Sequence, residues 1–145
     1  PYATGYPKVK IVENLDYRKG RSSSVICGLS ALNTNPLAIL VLNVDQPRPY
    51  SVINQIINAH FESMPEVTIP IHQGHRGHPA IFNGALIDEM KTITEKRHGL
   101  REIIAGKHVK EVNILNPIVN IDLNTPGDYK QALNRTHTTI GPTSK

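Results

Sequence analysis

The sequence predicts an α/β fold, in which helices are layered on a mostly parallel but mixed sheet. Three observations predict it. Strand-like and helix-like periods alternate through the first half of the chain. The continuous apolar run Leu37-Ala-Ile-Leu-Val-Leu42, bounded by Pro36 and Pro47, reads as a strand covered on both faces. The chemistry-bearing residues gather in loops that follow strands, where open α/β sheets place their ligands.

Each element follows from local chemistry. Lys8-Val-Lys-Ile-Val12 alternates and predicts a first strand, ending at Asn14 and Asp16. Gly20-Arg-Ser-Ser-Ser24 supplies a turn and hydroxyl caps for a helix carrying Val25, Ile26, Leu29 and Leu32. Beyond Pro49, Ser51 is expected to cap a helix with the stripe Ile53, Ile56, Ile57 and Phe61. Val67 to Ile71 predicts another strand, and its Pro70 favours an edge or a bulge. His72 to Pro79 reads as a Gly-rich loop and Ala80 to Phe82 as a short extended piece. Leu86, Ile87, Met90 and Ile93 mark a helix, and Gly99 to Ala105 a shorter one. Val109 to Leu115 and Ile118 to Leu123 predict two further strands. Thr125-Pro-Gly-Asp128 opens a last helix with Pro at its first position, running through Tyr129 to Leu133. The expected organisation is a single domain over 1–135 and a polar tail over 136–145.

Composition narrows the function. With 39% hydrophobic and 19% charged residues, 145 residues predict a globular core. No apolar run approaches the roughly 20 residues that span a bilayer, and no signal peptide opens the chain, so the expectation is a cytoplasmic protein without a membrane partner. The single Cys27 fits a reducing compartment and a structural thiol. Sixteen basic against 12 acidic residues give +4, scattered along a chain of 5% aromatics. That pattern argues against a nucleic-acid partner and suits a small polyanion. The missing initiator Met suggests processing or a start inside a longer protein.

Four loops carry the candidate residues. Asp45 follows the apolar run, and Asp122 closes Ile118-Val-Asn-Ile-Asp122. Two carboxylates at one sheet edge can hold a divalent ion, and each also reads as a loop or helix cap. The hydroxyls of Ser22 to Ser24 offer a polar cradle at a helix start. His72, His75 and His78 are a minor zinc reading, because a loop fixes no common direction for them; His78 is kept as a substrate contact. His60, His98, His108 and His137 read as surface or helix-end residues. No Gly-x-Ser-x-Gly elbow, P-loop or dinucleotide Gly fingerprint is present.

Taken in order, four stretches resemble the molybdenum-cofactor nucleotidyltransferases, notably the molybdopterin cytidylyltransferase group. They are Asn14 with Gly20-Arg-Ser-Ser-Ser-Val-Ile-Cys-Gly-Leu29, Val44-Asp-Gln-Pro47, Arg76-Gly-His-Pro-Ala-Ile-Phe82, and Asn120-Ile-Asp-Leu-Asn-Thr-Pro-Gly-Asp-Tyr129. The resemblance implies a three-layer αβα sandwich, Rossmann-like, of the nucleotide-diphospho-sugar transferase type. It implies transfer of a nucleotidyl group, CMP from CTP, to a phosphorylated acceptor such as molybdopterin, with pyrophosphate released. By the same resemblance Asp45 and Asp122 hold Mg²⁺ and are the catalytic pair. Asn14, Ser23 and Ser24, with Asp45, bind the nucleotide; Gln46, Gly77 and His78 face the acceptor; and a molybdoenzyme or accessory protein is a partner. The family's opening Leu-Ala-Gly-Gly-x-Ser-x-Arg-Met-Gly loop has no counterpart in Pro1 to Pro7, and the first element resembles the family's third strand. That departure implies weak triphosphate binding and little turnover, and it keeps open a non-catalytic nucleotide- or cofactor-binding module of the same fold.

Overall fold

A computed structural model describes residues 8–130 and 132 of the chain. The predicted tail 136–145 lies outside these residues, as does the end of the helix predicted over 129–133. Five strands form one sheet: β1 (Ala38–Val41), β2 (Val67–His72), β3 (His75–Arg76), β4 (Ala80–Asn83) and β5 (Val109–Asn113). Their order is β1-β4-β2-β3, with β5 also paired to β2. The helices are α1 (Arg21–Ser30), α2 (Tyr50–Ser63), α3 (Ile87–Met90) and α4 (Leu100–Ala105), and residues 126–130 are helical too. The sheet is mixed. β3 runs antiparallel to β2, while the Val67 N–H to His108 and Ile114 N–H to Ile71 bonds rise together in number along β2 and β5, a parallel pair.

The chain divides into two compact units. The first holds residues up to Ile39, Met64–Val67 and Phe82–Lys110. Its core includes Leu29, Val67, Phe82, Leu86, Ile87, Met90, Ile93 and Ile103. The predicted Leu86–Ile93 stripe is fully buried, whereas α1 buries only Leu29 of its predicted stripe, with Leu32 exposed beyond the helix, and α4 buries only Ile103. Gly84 lets the chain turn against Pro36; a Cβ there would overlap the Pro36 carbonyl oxygen. The expected Lys8–Val12 strand is not formed, and Val9, Ile11 and Val12 are exposed. Alternation supplies a strand face, but the ladder requires a neighbour for every N–H and C=O, and no strand pairs with this segment among the described residues.

The second unit holds Leu40–Ser63, Thr68–Ile81 and the chain from Glu111. Here α2 buries Val52, Ile56 and His60, a stripe one position off the predicted one; Phe61 is exposed. The carbonyl of Pro49 accepts from Val52 and Ile53, so the helix starts one residue before Ser51. His60, expected as a surface or helix-end residue, lies in the last turn of α2 but is fully buried, and its Nδ1 meets Thr68 Oγ1 at 2.8 Å. The predicted His72–Pro79 loop is a two-residue hairpin: Gln73 and Gly74 take φ of 49° and 79°, the left-handed pair that a tight β-turn of this kind requires.

Three further expectations change. β1 ends the strand order among the described residues and buries only Ile39, with Leu37 and Leu42 exposed, so it is not a central strand. Pro70 lies in β2, the strand with most neighbours, where its buried ring is tolerated and its carbonyl accepts from Gly77. Ile118–Leu123 is not a strand: Asn116 Oδ1 accepts from Ile118 N–H, Pro117 follows at the first helical position, and 117–120 turns as a 3₁₀ helix. The last helix starts as predicted. Thr125 N–H donates to Asp128 Oδ2 at 2.8 Å and Asp128 N–H to Thr125 Oγ1 at 3.2 Å, a reciprocal cap.

Candidate functional site

The second unit brings three loops to one place. Gln46 N–H donates to Asn43 C=O at 3.1 Å, closing a turn that presents Asp45 beyond β1. Leu123 N–H donates to the Asp45 carbonyl at 2.8 Å, which ties this turn to the segment carrying Asp122. Asp45 and Asp122 therefore stand on hydrogen-bonded neighbouring backbone, and both are partly exposed.

Gln46 links them. It is only 2% exposed; its Nε2 donates to Asp122 Oδ1 at 3.0 Å and its Oε1 accepts from Asn43 N–H at 3.4 Å. A residue read through the resemblance as an acceptor contact is thus hydrogen-bonded at both its Nε2 and its Oε1 inside the protein, and it orients Asp122. Oδ2 of Asp122 and the Asp45 carboxylate make no hydrogen bond among the described residues. These are hard oxygen donors open to solvent, the chemistry that suits Mg²⁺ or Mn²⁺, which take one or two carboxylates and complete their shell with water and phosphate.

Arg48 is the residue that sequence reasoning missed. Its side chain is 0% exposed. Nε donates to His78 C=O at 2.9 Å, Nη1 to Ile121 C=O at 2.8 Å and Pro47 C=O at 3.1 Å, and Nη2 to Val119 C=O at 3.2 Å. Nη2 also lies 3.7 Å from Asp122 Oδ1. Burial lowers its pKa, and the carboxylates of Asp122 and Asp45 oppose that shift. The available signal was local: an Arg between Pro47 and Pro49 cannot swing away with a flexible backbone.

Gly77 and His78 form the third loop. His78 N–H donates to Val119 C=O at 2.8 Å, and Gly77 N–H to Pro70 C=O at 2.8 Å. A Cβ on Gly77 would stand 2.3 Å from the Val119 oxygen and 2.5 Å from Asn120 Oδ1. The glycine is needed for the close approach of this loop to 119–120. The His78 side chain is exposed beside it. No three His, Cys, Asp or Glu residues cluster as metal ligands among the described residues, so the zinc reading of His72, His75 and His78 is not met. His72 instead turns its Nδ1 onto the Ile114 carbonyl at 2.9 Å.

The remaining predicted residues lie in the first unit. Asn14 Nδ2 donates to Ser23 Oγ at 2.9 Å and to Ser24 Oγ at 3.0 Å, and Ser23 Oγ also meets the carbonyls of Asp16 and Gly20. The start of α1 has no capping side chain of its own; Glu95 supplies the anion, accepting from Ser22 N–H at 2.5 Å. Hydrogen bonds from the Ser22 backbone and then its side chain, helped by the Arg21 charge, hold the Glu95 carboxyl below its usual range. Cys27 is partly buried, with Sγ 3.7 Å from Glu13 C=O.

With this geometry in place, comparison with known proteins identifies the chain. The model of the MobA-like NTP transferase domain matches residues 2–112. The chain belongs to that family. Asp45, Gln46, Gly77 and His78 fall inside the matched span, and Asp122 lies beyond it.

No curated protein matches. Among solved structures, Rv0371c from Mycobacterium tuberculosis H37Rv is 20% identical with a TM-score of 0.66, covering 78% of this chain and 59% of its own. Its homolog from Mycobacterium sp. strain JC1 is 19% identical with a TM-score of 0.64, covering 81% and 58%. The molybdopterin-guanine dinucleotide biosynthesis protein A of Archaeoglobus fulgidus is 16% identical with a TM-score of 0.56, covering 95% and 73%. A further Rv0371c structure is a complex with manganese. This MobA-like chain therefore spans less than two-thirds of the two mycobacterial structures, and it shares with them the Rossmann-like NTP transferase fold, a mixed sheet flanked by helices. Among the described residues no helix is long and apolar enough to cross a membrane.

Proposed function

We propose that this chain carries the cation site of a divalent-cation-dependent nucleotidyltransferase, with Asp45 and Asp122 as its cation ligands. The observation that carries the reading is the hydrogen bond joining the Asp45 carbonyl to Leu123 N–H, which brings the backbones of the two acidic segments together, with the buried Arg48 guanidinium 3.7 Å from Asp122. The family match and the fold support the reaction class. The reaction is attack of an acceptor phosphate oxygen on the α-phosphorus of CTP; the new P–O bond forms in line as the bond to pyrophosphate breaks, and pyrophosphate leaves with the electron pair. A molybdopterin-type phosphate is the acceptor in this reading, and Mg²⁺ the resident ion.

When bound, such an ion neutralises phosphate charge and polarises the α-phosphate. The chain's own residues do the rest. Gln46 holds Asp122 by its hydrogen bond to Oδ1, with the Arg48 guanidinium 3.7 Å from the same oxygen, which leaves Oδ2 to an ion. Gly77 allows its loop to close on Val119, and His78 stands exposed at the rim as a donor to the acceptor phosphate. In the first unit the Asn14 amide donates to the Ser23 and Ser24 hydroxyls, and in this reading these polar groups offer contacts to a nucleotide.

The test is Mn²⁺ binding followed by electron paramagnetic resonance, with and without CTP. Asp45→Asn and Asp122→Asn are each expected to weaken binding on the order of tenfold or more, since each removes one charge within a few ångströms of the ion. Unchanged affinity in both variants, with folding intact, would refute the cation site.

A further inference from the structure

The geometry points to Arg48 as a buried counter-charge that keeps the free divalent ion weakly bound and lets the ion enter together with the anionic nucleotide. This inference rests on the reading of Asp45 and Asp122 as cation ligands. Arg48 is a positioning residue and not a phosphate contact: its guanidinium is sealed from solvent and its nitrogens donate to the carbonyls of His78, Ile121, Pro47 and Val119. Carbonyls satisfy its hydrogens without neutralising its charge. A buried cation is strongly disfavoured without a nearby anion, and Asp122 lies 3.7 Å away, with Asp45 also within electrostatic reach.

The consequence is arithmetic on charge. Two carboxylates and one fixed guanidinium leave the site at −1. Without Arg48 the site stands at −2. A bare divalent cation gains from the extra negative charge, whereas an ion–triphosphate complex, itself anionic, is repelled by it. Arg48 therefore raises the preference of the site for the complex over the bare ion. A merely structural arginine would behave differently, because loosening the three loops weakens both forms of binding.

Two titrations on the full chain test this, one with Mn²⁺ alone and one with Mn²⁺ and CTP, on the wild type, Arg48→Gln and Arg48→Lys. The expected result for Arg48→Gln is tighter Mn²⁺ alone and weaker Mn²⁺·CTP, each on the order of tenfold. Arg48→Lys keeps the charge but not the fork of donors, so both affinities are expected to fall while their ratio, Mn²⁺·CTP over Mn²⁺ alone, stays within about threefold of wild type. Weakening of both affinities in a folded Arg48→Gln overturns the counter-charge role. If Arg48→Gln does not fold, Arg48→Lys decides: a folded, charge-conserving variant that loses the preference for Mn²⁺·CTP over Mn²⁺ alone overturns it equally. Absence of Mn²⁺ binding in wild type and variants alike would instead remove the cation site, and the inference with it. Binding that is sensitive to Asp45→Asn but insensitive to Arg48→Gln would sink this inference alone.

Discussion

Gly77→Ala is the sharpest single perturbation the structure offers. An added Cβ would lie 2.3 Å from the Val119 oxygen, 2.8 Å from the Val119 carbonyl carbon and 2.5 Å from Asn120 Oδ1. The Asn120 side chain can rotate away, but the Val119 carbonyl is backbone. It accepts from His78 N–H at 2.8 Å and from Arg48 Nη2 at 3.2 Å. Relief requires the loop and the 3₁₀ turn to separate by about 1 Å, the difference between this distance and ordinary carbon–oxygen contact near 3.3 Å. Overpacking of this kind costs about 1–3 kcal/mol, and stretching the hydrogen bonds to Val119 adds about 1 kcal/mol. The expected loss is about 3 kcal/mol, equivalent to a fall in Tm of roughly 6–12 °C for a chain of this size. Urea denaturation followed by circular dichroism measures it. Gly28→Ala is the matched control: it lies within α1, nothing stands within 4 Å of its Cβ, and the helix gains about 0.5–1 kcal/mol. A Gly77→Ala protein within about 0.5 kcal/mol of wild type would show that the loop is not held against Val119, and the site description would fail with it.

Other outcomes follow from the same contacts. Glu95 has a depressed carboxyl pKa, so its stabilisation of α1 is present above the unfolded carboxylate value, near 4.3, and is lost as pH falls through the lower folded value. The Tm difference between wild type and Glu95→Gln is accordingly largest at neutral pH and closes in acid; a pH-independent difference would disprove the charged cap. Thr68→Val removes the oxygen that meets His60 Nδ1 in the core and is expected to cost about 1–3 kcal/mol in chemical denaturation; a neutral result would mean that this contact does not order α2. Arg76 and Glu111 pair at 2.7 Å but are 51% and 41% exposed, so Arg76→Ala is expected to change stability by less than about 1 kcal/mol.

Much of this protein was legible as periodicity. The apolar positions of the Leu86–Ile93 segment are all buried as their spacing predicted, because a helical segment that shows one face to the core must repeat its apolar residues every three or four positions. By contrast, α1 buries only Leu29 of its predicted stripe and α4 only Ile103. The reciprocal cap of Thr125 and Asp128 and the turn holding Asp45 were also local, fixed by residues within four of one another. Where the reading failed, a partner decided. Lys8–Val12 alternates like a strand yet pairs with none among the described residues, and Ile118–Leu123 yields to the Asn116–Pro117 start of a 3₁₀ turn.

The site divides in the same way. Asp45, Gly77 and His78 announce themselves by residue type and by their place after strands, and Asp122 by residue type alone, since the strand expected before it is a 3₁₀ turn. Gln46 was named only through the resemblance and Arg48 is marked only by the prolines beside it; nothing near either in the chain says that its polar group will meet Asp122, 76 positions on from Gln46, or the carbonyls of Val119 and Ile121. Likewise Glu95 caps a helix 73 residues upstream of it. The sequence by itself determined which segments could form elements and which loops carry charge, because those depend on short-range sterics and on the period of burial. Only the tertiary structure decided how each charge is answered, because hydrogen bonds and Coulomb forces act across a few ångströms of space regardless of the length of chain between the partners.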